Sequence, residues 1–368
     1  MIEENNLKVN SSNNIVINED VWKEDSKRIT ALRFLLIVFV VFIHNNIKAD
    51  TISDYNIIFD EPNIITWIKY IICNVLGGAA VPLFYLFASY LQFKKNDSYK
   101  TLILKKTRSL LIPYFLWTLI NVLLYFIAQS LPVLSSFFQN EKNIVRNFSF
   151  TDWIKLFWAH EDGFPFVYQF WFLRNLIVIV FISPILQLIA KKIPITFGLI
   201  IIVCFINGLP FDFGSTLFFY MAGYYCSKYN ISFFAIADKL RWYEYVFLIV
   251  FITIVTKFYS ESIQLCGLGT IITCLFFLKV SGVLINKIKL YELLSYLSGF
   301  SFFLYAIHTP FLETTLKKLS LKIIPLQGIF CFVQFIVPCV LVIIIGVGIG
   351  IILKKLCYPL FKVLNGGR

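Results

Sequence analysis

The chain has 368 residues, of which 58% are hydrophobic and only 15% charged, and its mean hydropathy is +0.77. That balance excludes an ordinary soluble domain and indicates a polytopic membrane protein. The net charge of +12 does not point to nucleic acid, because the cations sit in short loops between apolar runs, where they set topology.

Residues 1–28 form a polar tail rich in Asn, Glu and Lys. The tail has no apolar core before a small-residue cleavage site, so no removable signal peptide is expected. Ten apolar runs of membrane length follow: 29–47, 64–91, 110–131, 168–190, 194–210, 213–229, 243–260, 263–285, 291–314 and 328–357. The sixth is the weakest, interrupted by Gly223 and several tyrosines. No internal repeat stands out. The expectation is an all-α bundle in one membrane domain, 29–357, between the tail 1–28 and a short tail 358–368.

Loop charges orient it. Lys94, Lys95, Lys100, Lys105, Lys106 and Arg108 fall in one loop. Lys191 and Lys192, then Lys228, Lys239 and Arg241, then Lys287 and Lys289 fall in later loops on the same side. Asp50, Asp54, Asp60, Glu61 and Asp212 fall opposite, which predicts both termini in the cytoplasm. Lys317, Lys318 and Lys322 disagree with this pattern.

The outer segment 132–166 contains TDWIKLFWAHEDG, with Trp153, Leu156, Phe157 and His160 at helical spacing and Thr151 as an N-cap. This predicts an amphipathic surface helix, serving as a roof over an outer site or as a plain interfacial anchor. Of eight cysteines, none forms a CxxC pair or clusters with His, and Cys73, Cys204, Cys274, Cys331 and Cys339, among others, lie inside apolar runs. They read as small buried apolar residues, without metal or disulfide.

The run ITALRFLLIVFVVFIHNN at 29–46 carries Arg33 and His44. Eleven residues of helix rise about 16.5 Å and return to within roughly 20° of the same face. Ionisable groups inside a membrane segment face a protein interior or a wet cavity. The orientation puts His44, His308 and Arg174 in the outer half, and Arg33, Lys105 and Arg108 at the inner end. Histidine suits a general base for a hydroxyl, and Arg and Lys suit phosphate. A cytoplasmic phosphorylated donor would then deliver a group to an outer acceptor. The plainer readings are a packing histidine bonded to a carbonyl at His44, a pairing of His308 with Tyr305, and a snorkelling Arg174.

Arg33-x10-His44 resembles the first helix of the integral-membrane acyltransferase family three. GGAAVPLFYLFASYL at 77–91, KKTRSLLIPY at 105–114, FWFLRNLIVIVFISPIL at 170–186 and FSFFLYAIHTPFL at 300–312 resemble its further motifs, in order. The resemblance implies transfer of an acyl group, commonly acetyl, from coenzyme A (acetyl-CoA) to a hydroxyl of a cell-envelope glycan, in the bacterial cytoplasmic membrane. It implies His44 as catalytic base with Arg33 as partner, and Arg33, Lys105 and Arg108 as the acyl-CoA phosphate site. His308 then joins the catalytic group, and Arg174, Trp171 and Tyr305 serve the acceptor. Two departures stand out: Lys105 replaces an arginine of the family's Arg-x-x-Arg pair, and Ala88-Ser89-Tyr90 replaces Ser-Gly-Tyr. Some members carry an extracytoplasmic hydrolase-like domain. Here either the acceptor reaches the membrane site directly or a separate protein assists. The alternative reading is a transporter or flippase for a glycan or lipid-linked precursor.

Overall fold

The computed structural model describes residues 2–45, 60–95, 97–135, 143–160 and 162–367. Asp50, Asp54 and the last two residues of the first apolar run lie outside them. Among the described residues the fold is all helix, apart from one isolated bridge between Asp60 and Gln327. The main helices are α1 (Ile2–His44), α2 (Asn63–Lys94), α3 (Tyr99–Ser130), α4 (Tyr168–Lys192), α5 (Pro194–Asn207), α6 (Phe213–Lys228), α7 (Trp242–Phe258), α8 (Ile263–Asn286), α9 (Ile288–Ser298), α10 (Ser301–Leu321) and α11 (Phe330–Leu356). Each apolar run of the sequence is therefore helical. Among the described residues five helices (α2, α3, α4, α8 and α11) are long and apolar enough to cross a membrane; α9 and α10, bent by 52°, make a sixth if counted as one.

Helix α1 sits at the centre. Ile29, Ala31, Leu32, Leu36, Ile37 and Val41 are all at most 1% exposed. These residues occupy several faces of the helix, so α1 is sheathed by protein rather than lipid, which accounts for its all-round apolarity. Polar contacts hold it at both ends. Near its polar end, Asp25 accepts from Tyr90 Oη at 2.7 Å and from Ser232 Oγ at 2.9 Å. Arg28 Nη1 donates to Asp238 Oδ2 at 2.7 Å. At the far end, Asn45 Nδ2 donates to the Phe335 carbonyl at 2.7 Å, and Lys317 Nζ to the His44 carbonyl at 3.1 Å.

Helix α6 crosses α2 closely. A Cβ on Gly223 would meet the Leu86 carbonyl oxygen at 2.5 Å and Ser89 Cβ at 2.9 Å. The glycine that weakened the sixth run as a membrane segment is what lets α6 lie against the Ala88-Ser89-Tyr90 stretch. The small-residue contact missing from α2 is thus supplied from the facing helix.

The segment TDWIKLFWAHEDG forms a shorter helix than its spacing predicts, Phe150–Lys155. Its N-cap is Ser149, not Thr151, in a reciprocal capping box with Asp152. The Ser149 hydrogen bonds hold the Asp152 carboxyl below the usual carboxylate range. Leu156 is fully buried and ends the helix, while His160 sits beyond it, with Nε2 3.0 Å from Asn143 Oδ1.

Candidate active site

Helix α1 runs unbroken from Arg33 to His44, so the two side chains keep the rise of about 16.5 Å that an ideal helix dictates. The His44 ring makes no hydrogen bond with a described residue. Its ring centroid lies 5.2 Å from that of His308 and 5.9 Å from that of Tyr168. His308 is fully buried. Its Nδ1 is 2.7 Å from the Tyr305 carbonyl oxygen, which can only accept. In the neutral ring Nδ1 therefore carries the hydrogen and Nε2 the lone pair. That Nε2 is buried and has no partner among the described residues. Tyr305 does pair with His308, but through its backbone; its hydroxyl donates to the Gln169 carbonyl at 2.6 Å.

A break in α10 fixes His308. A π turn covers His308–Leu312, and Thr309 inside it is extended (φ −139°, ψ 159°). Such turns concentrate at functional sites. The Gln169 side-chain amide donates to the carbonyl of Thr309, so a backbone group released by the break is satisfied by α4.

Beyond the break α10 brings Glu313, which the sequence reading passed over, and Lys317, which it counted only as a loop charge. Glu313 is 5% exposed. It pairs with Lys317 at 3.0 Å, and Lys317 also caps the His44 carbonyl at 3.1 Å. Counted as a loop charge, Lys317 contradicts the topology. As one member of an i, i+4 pair with Glu313 it is an internal residue. The Glu-x-x-x-Lys spacing directly after His-Thr-Pro was the available signal.

At the other end of α1 lies a cavity of about 310 Å³ lined by Arg33, Lys95, Lys105 and Lys106, with apolar walls from Phe84, Phe87, Leu91, Phe172 and Leu173. It reaches Tyr305, whose ring centroid is 6.1 Å from that of His308. Arg33 is half-buried and makes no hydrogen bond or ion pair with a described residue. Lys105 is held by both oxygens of Asp97 at 2.8 Å. Arg108 is exposed and does not line the cavity. On α3 the cavity is lined by Leu102, Lys105, Lys106, Ser109 and Leu110, a stripe at ordinary helical spacing from which Arg108 is turned away.

Arg174 neither snorkels nor faces His44. It is 3% exposed, and Nη1 donates to the carbonyls of Trp158 at 2.5 Å and Gly163 at 2.8 Å. Its guanidinium also lies over the Trp158 ring at 5.2 Å. It pins the segment between the short helix and α4. Trp171 packs against the hydrophobic core and is not among the cavity residues. The structure therefore groups Arg33 with Lys105, and His44 with His308 and Tyr305, and leaves Arg108, Arg174 and Trp171 outside both groups.

A family model described as an acyltransferase domain matches residues 26–354, which contain both groups. The chain belongs to this acyltransferase family. It is also 25% identical over 217 residues to the succinoglycan biosynthesis protein ExoH of Rhizobium meliloti (strain 1021). That match covers 56% of this chain and 55% of the relative, so the chain spans about half the length of the curated relative it matches. No solved structure matches. The chain is thus a member of an acyltransferase family that has, among the described residues, five or six helices long and apolar enough to cross a membrane.

Proposed function

We propose that this protein is an O-acyltransferase moving an acyl group, acetyl in the simplest case, from cytoplasmic acyl-CoA to a hydroxyl of an envelope polysaccharide. The observation that carries the reading is Arg33: a half-buried guanidinium, without a partner among the described residues, in a basic cavity whose apolar walls lead to the Tyr305–His308 turn. A ligand with phosphates at one end and a flexible, mostly apolar arm at the other matches that sequence of surfaces. Arg33, Lys95 and Lys106 would hold the phosphates, and Phe84, Phe87 and Phe172 would line the arm. In this reading ten spans cross the bacterial cytoplasmic membrane with both termini inside. The Arg33 end of α1 then faces the cytoplasm and the His44 end faces outward. ExoH, named for succinoglycan biosynthesis, supports a surface polysaccharide as acceptor.

The chemistry follows from the histidine pair. His44 accepts the proton of the acceptor hydroxyl as its oxygen attacks the thioester carbonyl. The carbon–sulfur bond then breaks, and the leaving thiolate takes that proton back from His44. His308 supplies a second lone pair at Nε2 beside His44, able to pass the proton or orient the first ring. Lys317, held by Glu313, fixes the backbone at His44. The acceptor meets His44 directly, without an obligatory separate protein.

The test uses the purified protein in lipid nanodiscs with acetyl-CoA and polysaccharide from a strain lacking the gene. Thiol release and alkali-labile acetate on the polysaccharide are measured together. Wild type should yield both, and His44→Ala should lose both by a factor of about 10² to 10⁴. Full transfer by a folded His44→Ala protein would end the assignment of the base. No thiol release by wild type would end the acyl-CoA reading.

A further inference from the structure

Beside His44 stands an aromatic side chain that no step above uses, with a second ring behind it. Tyr168 opens α4, is 49% exposed, and stands edge-to-face against His44 with ring centroids 5.9 Å apart. Phe164 lies 4.6 Å from Tyr168, its plane tilted by 45°. The two rings form a V, and the Tyr168 ring adjoins the proposed base.

This V is held in place. Asp162 and Gly163 both have left-handed backbones (φ 49° and 82°), a tight reversal that presents Phe164. The His160 amide donates to the Phe164 carbonyl at 2.7 Å, and the Phe166 amide to the Leu156 carbonyl at 2.9 Å. Arg174 closes the turn through the Gly163 and Trp158 carbonyls. A nearly buried guanidinium bound to two loop carbonyls is a costly arrangement to maintain for a loop with no task. A plain bilayer anchor would need exposed rings, but neither this pinning nor contact with His44.

We infer that Tyr168 and Phe164 form the acceptor subsite, on which one pyranose ring of the polysaccharide stacks its C–H face while an adjacent hydroxyl meets His44. Aromatic faces carry negative potential and attract the weakly positive C–H groups of a sugar. The rings lie within one residue's reach of the base, as the acceptor hydroxyl requires. Arg174 is then a positioning residue that sets the angle of the platform. The inference rests on the glycan reading of the acceptor above.

The experiment measures thiol release in nanodiscs at varied concentrations of polysaccharide from the deletion strain, for wild type, Tyr168→Trp, Tyr168→Leu and Phe164→Leu. Removing one stacked ring should raise KM for the polysaccharide about two- to tenfold, with kcat following wild type, while Tyr168→Trp keeps the wild-type KM. Because Tyr168 is exposed at the first turn of α4, its replacement leaves the core intact, and a thermal scan verifies this. Equal KM values in Tyr168→Leu and wild type overturn the platform. So does wild-type acylation of glycerol but not of polysaccharide, which would leave the rings as lipid anchors. Absence of thiol release in wild type, by contrast, falls on the acyl-CoA reading itself.

Discussion

Arg33→Met separates a functional residue from a structural one, because its two effects have opposite signs. Arg33 is half-buried and has no ion pair among the described residues, so the folded protein bears part of the desolvation cost of a cation. That cost is several kcal/mol for a fully buried ion. For a guanidinium that lines an open cavity it falls to about 1–2 kcal/mol. Methionine keeps the apolar stem against the walls of the cavity and discards the charge. The apo protein should therefore melt at the same temperature or slightly above wild type. Donor binding should move the other way. A charge-assisted hydrogen bond to a phosphate contributes roughly 1.5–3 kcal/mol, which predicts about a 10- to 150-fold rise in KM for acyl-CoA. Saturating CoA should raise the melting temperature of wild type and leave Arg33→Met nearly unmoved. Thermal scanning with and without CoA, together with thiol-release kinetics, gives all three numbers. A variant that unfolds well below wild type and still responds to CoA would refute the reasoning and make Arg33 a structural residue.

Three further outcomes follow from the packing. Glu313→Gln leaves Lys317 without its anion. Lys317 keeps 21% of its side chain exposed, so the loss should be about 2 kcal/mol rather than the roughly 3–5 kcal/mol of a fully buried pair, and Lys317→Met in the same chain should recover part of it in a double-mutant cycle. Gly223→Ala drives a Cβ to within 2.5 Å of the Leu86 carbonyl oxygen and should cost about 1–3 kcal/mol; an unchanged melting temperature would contradict the α2–α6 crossing. Burial raises the Asp25 carboxyl above its ordinary value of 3.8, against the opposing bonds from Tyr90 and Ser232. The folded protein therefore holds that proton more tightly than the unfolded chain, and the associated stability is complete below 3.8 and fades as pH rises through the folded value. Asp25→Asn should flatten this part of the stability–pH curve, and identical slopes in both proteins would exclude Asp25 as its source.

The sequence carried the helices and the two ends of the site because both are written in simple currency. Apolar length sets helices, and Arg33-x10-His44 on one helix fixes a rise and a face. What it hid depended on which face each element turns to its neighbours. The cavity takes Lys106 rather than Arg108 because its lining follows the stripe Leu102, Lys105, Lys106, Ser109 and Leu110, and pairing the cations by loop did not choose that face. Counting lysines by loop assigns Lys317 to solvent, whereas the break at Thr309 turns the next part of α10 inward and pairs Lys317 with Glu313. Arg174 was legible as an intramembrane cation, yet its partners are backbone carbonyls of Trp158 and Gly163, which composition does not reveal. Gly223 looked like a weakness in a membrane segment because its value lies in a neighbouring helix.

These placements share a consequence for how the site is built. In the proposed reaction a donor with anionic phosphates and an acceptor from the opposite side would meet at one carbonyl carbon. That reaction would require a cation and a base held at a fixed separation. A loop could not hold that separation. An unbroken helix can, and α1 is clamped at Asp25 and Arg28 near one end and at Asn45 and the His44 carbonyl at the other. The surrounding helices carry the irregularities instead: π turns beside the basic cavity on α3 and at His308 on α10. Rigidity is concentrated in the element that sets distance, and backbone distortion in the elements that shape the two openings. The second histidine then lies on α10, where the break at Thr309 can place it beside His44 without disturbing the length of α1.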